Sequence, residues 1–428
     1  MQAETTRVRV GRDRRAHVQR TVDVKQGLGS GTGLSTVDAS WMAGLQAAKA
    51  AKTSAGTDLQ LGVVFSTLQH DLAMVVKGVS YGLGGQVPLV GATTYGYVFD
   101  NHQISDLGVA VLALGGDHSR FSLGIGQGLG QDVWRAAEDA LRPILQQWEQ
   151  EKINGYTHLS VVFFVDTFVN GEILLEALIR HLPEEVPVMG GVVDEEGGSE
   201  QTALIYGKEV VRDALICIGV FTRHPVGMGN RHGFFPLVPR RVTRAAGTII
   251  YELDGKPAIE VWKEFLKRRN VPLPEDLRSF GEALSRYQFA VPDPMQPGHS
   301  KIRLPLGITP EGGIKLAGEV PDRATIWILE AREERMLEAL EKAYEAARQR
   351  LNPAEPLFGV VMQGFPRIIA LGEEGALHEF EKIQELFGEV PYIGVNTYGE
   401  IIRVKDEPRG FSNSSVNLAL FPQTVEEG

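Results

Sequence analysis

An α/β fold built from three related strand-helix units of about 100 residues, forming mixed sheets flanked by helices, is what this sequence predicts. Two observations lead there. The first is a passage written three times: Val87-Pro88-Leu89-Val90-Gly91-Ala92-Thr93-Thr94-Tyr95-Gly96, then Val186-Pro187-Val188-Met189-Gly190-Gly191-Val192-Val193-Asp194-Glu195, then Val390-Pro391-Tyr392-Ile393-Gly394-Val395-Asn396-Thr397-Tyr398-Gly399-Glu400. In each, Pro opens a short apolar run that Gly cuts off, as a buried strand ending in a tight turn would read. The second is a succession of Ala-rich helical stretches alternating with continuous apolar runs of strand length, the pattern of helices layered on a sheet buried on both faces.

Taken in order, the first unit begins near Val22 and the second near Phe121, each with a short strand running into Gln26-Gly27-Leu28-Gly29 or Gln127-Gly128-Leu129-Gly130. Ala-rich helices follow at 40–52 and 132–150. The apolar runs Leu61-Gly62-Val63-Val64-Phe65 and Leu159-Ser160-Val161-Val162-Phe163-Phe164-Val165 supply central strands. Second helices are expected at 71–81 and 172–181, and closing strands at 107–114 and 214–220. The third unit opens on Ala324-Thr325-Ile326-Trp327-Ile328-Leu329. Its first helix, 333–349, carries Leu337, Leu340 and Tyr344 at helical spacing and a Glu338/Lys342 pair one turn apart. A central strand at 357–362, a helix at 376–387 and a closing strand at 416–421 complete it. A Pro- and Gly-rich segment, 222–323, is inserted before this unit and holds a helix at 258–269. Antiparallel closing strands would make the sheets mixed.

At 428 residues the chain exceeds one ordinary core, so more than one domain is expected. A net charge of -11 argues against nucleic acid or an anionic membrane as partner. No apolar run reaches the ~18–20 residues that span a bilayer, and the N-terminus, a basic arm with Arg7, Arg9, Arg12, Arg14, Arg15 and Arg20, lacks the apolar core of a signal peptide. The single Cys217, inside an apolar run, reads as a packed thiol of a cytoplasmic protein.

Chemistry is expected at the loops beyond the carboxyl ends of the strands, where open sheets bind ligands. Thr93, Thr94 and Tyr95 offer hydroxyls; Asn396, Thr397, Tyr398 and Glu400 add an amide, hydroxyls and a carboxylate; Asp194, Glu195 and Glu196 add acids. A zwitterion suits the set, with Glu400 or Asp194 for its ammonium and Arg367 as a fork for its carboxylate. The competing reading is that Gly, Thr and Tyr only build the turns. Two Gly-rich runs, Gly27 to Gly33 and Gly124 to Gly130 at alternate positions, match no nucleotide fingerprint and read as strand-to-helix linkers. Ser66, Thr67, His70 and Asp71 stand too close in sequence for a catalytic triad, and Ser66 or Thr67 is expected to cap the next helix. His224 and His232 lack a third ligand at metal spacing, so neither metal nor cofactor is expected.

The run Arg241-Val242-Thr243-Arg244-Ala245-Ala246-Gly247-Thr248-Ile249-Ile250-Tyr251-Glu252-Leu253-Asp254-Gly255-Lys256-Pro257-Ala258 resembles the passage joining the two domains of FIST proteins. Val90-Gly91-Ala92-Thr93-Thr94 upstream, and Gly318-Glu319-Val320-Pro321, Thr397-Tyr398-Gly399-Glu400-Ile401 and Phe411-Ser412-Asn413 downstream, resemble the same family in order. The resemblance implies an arm with a first strand at 1–34, a FIST N-terminal domain of two units at 35–240 and a FIST C domain at 241–428. It further implies a sensor of intracellular signalling that binds a small polar metabolite, amino acids among the candidates, and acts on a separate signalling protein. Family members carry a Cys and Gly-Arg after the last central strand; here that stretch is Met362-Gln363-Gly364-Phe365-Pro366-Arg367, which keeps only the Arg. Asp254 and Lys256 at the junction, with Asn413, are secondary site candidates. An enzyme using the loop carboxylates, or an adaptor binding protein alone, are the rival readings, and no nucleophile–base pair supports the first.

Overall fold

The computed structural model describes residues 29–56, 58–167, 169–193, 201–271, 285–293, 299–405 and 409–424. The first unit runs β1 (Ser30–Ser35), α1 (Ser40–Ala55), β2 (Leu59–Thr67), α2 (Leu72–Leu83), β3 (Leu89–Thr94), the hairpin β4 (Val98–Asp100) and β5 (Ile104–Ser105), and β6 (Val109–Gly115). The second repeats the order as β7 (Ser119–Gln127), α3 (Val133–Ile153), β8 (His158–Val165), α4 (Gly171–Ile179), β9 (Val188–Val192), the hairpin β10 (Leu204–Gly207) and β11 (Glu209–Val211), and β12 (Ala214–Thr222).

The third unit opens earlier than the sequence suggests, on β13 (Gly227–Arg231). An inserted sheet follows: β14 (Phe235–Ala246), β15 (Ile249–Leu253), β16 (Lys256–Pro257), α5 (Ala258–Arg268), β17 (Tyr287–Pro292), β18 (Ser300–Arg303), β19 (Pro305–Ile308), β20 (Ile314–Leu316) and β21 (Thr325–Glu330). The unit resumes with α6 (Glu333–Leu351), β22 (Pro356–Gly364), α7 (Phe365–Phe387), β23 (Tyr392–Thr397), the hairpin β24 (Gly399–Arg403) and β25 (Gly410–Ser412), and β26 (Val416–Pro422). The expected opening strand at 324–329 is β21, which pairs with β14 and β17 inside the insertion. β21 is an apolar run whereas β13 reads Gly-Met-Gly-Asn-Arg, so hydrophobic pattern alone picked out the wrong strand.

Each unit's sheet follows one plan. Opening strand pairs with closing strand, closing with central, and central runs parallel to the strand that enters the repeated loop, giving β1-β6-β2-β3, β7-β12-β8-β9 and β13-β26-β22-β23. The mixed character comes from antiparallel closing strands against one parallel pair, as in β2 with β6 and with β3. Each sheet is then extended by another unit's hairpin. The first unit's β4-β5 joins β23, the second's β10-β11 joins β3, and the third's β24-β25 joins β9. The exchange is cyclic.

Central strands are buried on both faces, which is why they read as unbroken apolar runs. One face of each supplies a shared core, with Val63 and Phe65, Val162 and Phe164, and Val360 and Met362 in one cluster. The opposite face packs under its own helices: Val64 with α1 and α2, Val161 and Phe163 with α3 and α4, Val361 with α6 and α7. Cys217 on β12 is buried in this second layer, and burial pushes its thiol far up.

Four of the alternate glycines are strand residues, while Gly128 and Gly130 do lie in the link from β7 to α3. Gly31 and Gly33 lie on β1 and Gly124 and Gly126 on β7, while Gly227 and Gly229 take the same place on β13. A methyl group at these six positions would come within 1.7–2.6 Å of a helix backbone or an Ala methyl; at Gly229 the carbonyl of Ala343 would be 2.0 Å away. Missing side chains let α1, α3 and α6 lie directly on the opening strands. The linker reading missed the strand glycines because a Gly-x-Gly run suits a close approach as well as a loop. Residues 1–28, including the expected first strand near Val22 and the basic arm, lie outside the described residues.

Candidate functional site

The Thr-Tyr-Gly repeat marks where the chain leaves one sheet for another. Thr94 ends β3, and four residues later β4 begins and pairs with β23, with Val98 opposite Val395. Thr397 ends β23, and Gly399 opens β24 opposite Val192 of β9. The crossover from β9, with Asp194, Glu195 and Glu196, lies outside the described residues.

These crossings gather the predicted residues and bury most of them. Thr94 Oγ1 donates to the Asn396 carbonyl at 2.8 Å and accepts from Gly96 N–H at 3.0 Å. Asn396 Oδ1 accepts from Tyr97 N–H at 2.7 Å, and its Nδ2 donates to the carbonyl and side-chain oxygens of Gln363 at 3.1 and 3.2 Å. The first and third units are thus stitched through one amide. Thr93 Oγ1 exchanges hydrogen bonds with the backbone of Ala203, entering β10, at 3.2 and 2.9 Å. Tyr95 and Tyr398 are half-buried, their rings edge to face at 5.8 Å, with Phe365 5.6 Å from Tyr398.

Glu400 is 1% exposed. Its Oε1 accepts from Thr397 Oγ1 at 2.7 Å and its Oε2 from Ser415 N–H and hydroxyl at 2.9 and 3.0 Å. Burial pushes this carboxyl up to about 7, against the opposing pull of those donors and of the Arg367 charge. Arg367 is wholly buried near the start of α7, and the carboxylate it clamps is Glu379 of the same element, across a break at Gly372 (φ 72°). Its remaining donors go to the carbonyls of His232, Ser414 and Met336. Gln363 Nε2 donates to the other Glu379 oxygen at 2.7 Å. Burial and the Arg367 charge push His232 down to about 4, so at neutral pH its uncharged Nδ1 accepts from Phe234 N–H at 3.0 Å.

The inserted sheet closes over this network. Ser414 Oγ donates to Gln288 Oε1 at 2.9 Å, and Asn413 holds the Tyr398 carbonyl at 2.9 Å while its backbone N–H reaches Ile302. Asp254 and Lys256 stand apart, flanking the β15–β16 turn, where Asp254 Oδ1 accepts from Arg241 N–H at 2.9 Å. His70 and Asp71 do not join either; Asp71, rather than Ser66 or Thr67, caps α2 by accepting from Met74 N–H at 3.1 Å, because β2 runs on through Thr67. Sequence reasoning missed Gln363, Glu379, Gln288, Ser414 and Ser415. Two left a trace: Gln363 ends an apolar strand, and Glu379 sits at helical spacing among Ala376, Phe380 and Ile383. Among the described residues no cluster of three His, Cys, Asp or Glu side chains has metal-binding geometry, and no helix is long and apolar enough to cross a membrane.

Comparison with known proteins matches the FIST N domain over residues 60–256 and the FIST C domain over residues 258–403. An uncharacterized protein of Methanocaldococcus jannaschii is 26% identical over 259 residues, covering 59% of this chain and 49% of that protein. The chain therefore spans about half the length of the curated relative it matches. Two solved structures are also similar. Thermotoga maritima PurL complexed with FGAR is 11% identical at a TM-score of 0.20, covering 92% of this chain and 73% of that one. PurLQS of the same organism is 12% identical at a TM-score of 0.21, with coverages of 94% and 74%. At such TM-scores neither carries an argument.

Proposed function

This chain belongs to the FIST family, whose domains are associated with sensing in signal transduction, and from that premise we propose that it is a cytoplasmic sensor of a small polar metabolite. The observation that carries the reading is the convergence of Thr94, Asn396, Thr397, Glu400 and Arg367, drawn from two units, into one buried network beneath the half-exposed rings of Tyr95 and Tyr398. The tyrosines form the ligand-facing rim. The buried polar groups hold the crossovers whose rearrangement is the signal. A zwitterion such as an amino acid fits a rim of this kind, backed by the Glu400 carboxyl and by hydroxyls. A ligand shifts the arrangement only through its difference in affinity for the two states, so the crossovers must move on binding. The output then passes to a separate signalling protein.

Thermal unfolding of the purified protein against a panel of amino acids and small carboxylates tests this, with Tyr398→Ala and Thr94→Ala in parallel. A ligand at 100 times its Kd should add ~2.7 kcal/mol of stability, and the shift should vanish in Tyr398→Ala. Silence across the panel, with both variants folded, would overturn the reading.

A further inference from the structure

Between the inserted sheet and the third unit lies a cleft of about 340 Å³, remote in its lining from the Thr-Tyr-Gly crossovers. Arg286, Glu330, Arg332 and Glu333 line one part of it, Ala370 and Leu371 the other. The volume falls at the small end of ligand pockets, which occupy roughly 300–1,000 Å³, and a junction between domains is where such pockets concentrate.

The charges in it are unequally satisfied. Glu330 is 7% exposed; its Oε2 accepts from Arg332 Nε at 2.9 Å and its Oε1 from the Tyr287 hydroxyl at 3.3 Å. The guanidinium groups of Arg269 and Arg286 stand 3.9 and 4.0 Å from the same carboxylate, beyond hydrogen-bond length. Neither side chain makes a hydrogen bond among the described residues. Glu333 is already paired with His378 at 2.6 Å, and that bond pushes the imidazole upward, toward its charged form. Both acids are therefore occupied, while of the two arginines that line the cleft Arg286 keeps donors to spare among the described residues. Segment 232–332 as a whole holds 15 Lys and Arg against 12 Asp and Glu, in a chain of net charge -11.

We infer that this cleft binds a small oxyanion of the phosphate monoester class. Arg286 supplies the forked donors that match phosphate oxygens, and Ala370 and Leu371 give the ester's carbon chain an apolar wall. A zwitterion is a poorer fit because no acid in the cleft is left for an ammonium group. The site is independent of the proposed sensor rim, though Leu371 and Arg367 share the short helical segment ahead of the Gly372 break.

Calorimetric titration of the full chain with glycerol 3-phosphate tests this, with glycerol and with chloride at matched ionic strength as controls. Saturable binding is expected, weakened at least tenfold in Arg286→Gln, several-fold tighter in Glu330→Gln where the competing carboxylate is gone, and unchanged in Arg142→Gln, which removes an exposed arginine of α3 far from the cleft. The Arg286 side chain is 59% exposed, so its replacement leaves the fold intact. No saturable heat beyond the chloride control, or binding that Arg286→Gln leaves unchanged, overturns the assignment.

Discussion

Glu400 shows how one side chain can make this protein sensitive to pH. Its carboxyl is raised to about 7 in the folded state from an ordinary value of 4.5. The native state thus holds a proton that the unfolded chain has released across that window. Stability from this group is fully present below the ordinary value and is lost as pH rises through about 7, on the order of 3 kcal/mol in all. Glu400→Gln mimics the protonated form: its carbonyl can accept from Ser415 N–H, and its amide can donate to Thr397 Oγ1 once that hydroxyl turns. Urea unfolding between pH 4.5 and 8 should show the native protein losing stability relative to Glu400→Gln as pH rises. Parallel pH profiles for the two proteins would refute a proton held on Glu400. The sequence showed the carboxylate and its Thr397 neighbour, but not Ser415, fifteen residues on, whose place depends on β24 and β26 meeting.

At the scale of elements, much was legible because local patterns and the final fold agree. All the helices expected in the repeated units form, and the central strands form around the apolar runs, extended by a few residues. What misled were segments whose meaning depends on a distant partner. Phe365-Pro366-Arg367 reads as loop, yet begins α7, since Pro is tolerated in a first turn and the break falls only at Gly372. Alternate glycines read as linkers until α1, α3 and α6 are seen lying on them. That contact is open to test at β13. Gly229→Ala would place a methyl 2.0 Å from the Ala343 carbonyl, so strand and helix must part, for a loss of about 3 kcal/mol in urea unfolding. Gly307→Ala, with nothing within 4 Å of the added methyl, should fall within about 0.5 kcal/mol of the parent. Equal effects at the two positions would mean that helix contact does not explain the glycines.

For the whole molecule, the three units are repeats in sequence but not separable bodies. Their periodicity was readable; the exchange of hairpins was not, because no local signal says whether a strand after Thr-Tyr-Gly returns to its own sheet. Two consequences of the exchange bear on stability. The sheet of the first unit is completed by β10-β11 of the second, and among the described residues its inner face, with Leu61, Val63, Phe65, Leu112 and Leu114, shares a core with the other two units. Exposing five such side chains costs roughly 10 kcal/mol at about 2 kcal/mol each, as much as the entire stability of an ordinary domain. A fragment of residues 29–116, though it contains β1 to β6 and both covering helices, is therefore expected to stay unfolded. Hydrogen exchange on that fragment should find no protected amides, whereas β2 and β6 in the full chain should be among the last to exchange. A fragment with slowly exchanging β2 amides would mean that each unit is stable alone, and that a ligand could act within one unit without the other two. If the fragment is unfolded, a change at any crossover is felt by two sheets at once, since the strand that leaves one is the edge on which the next is built.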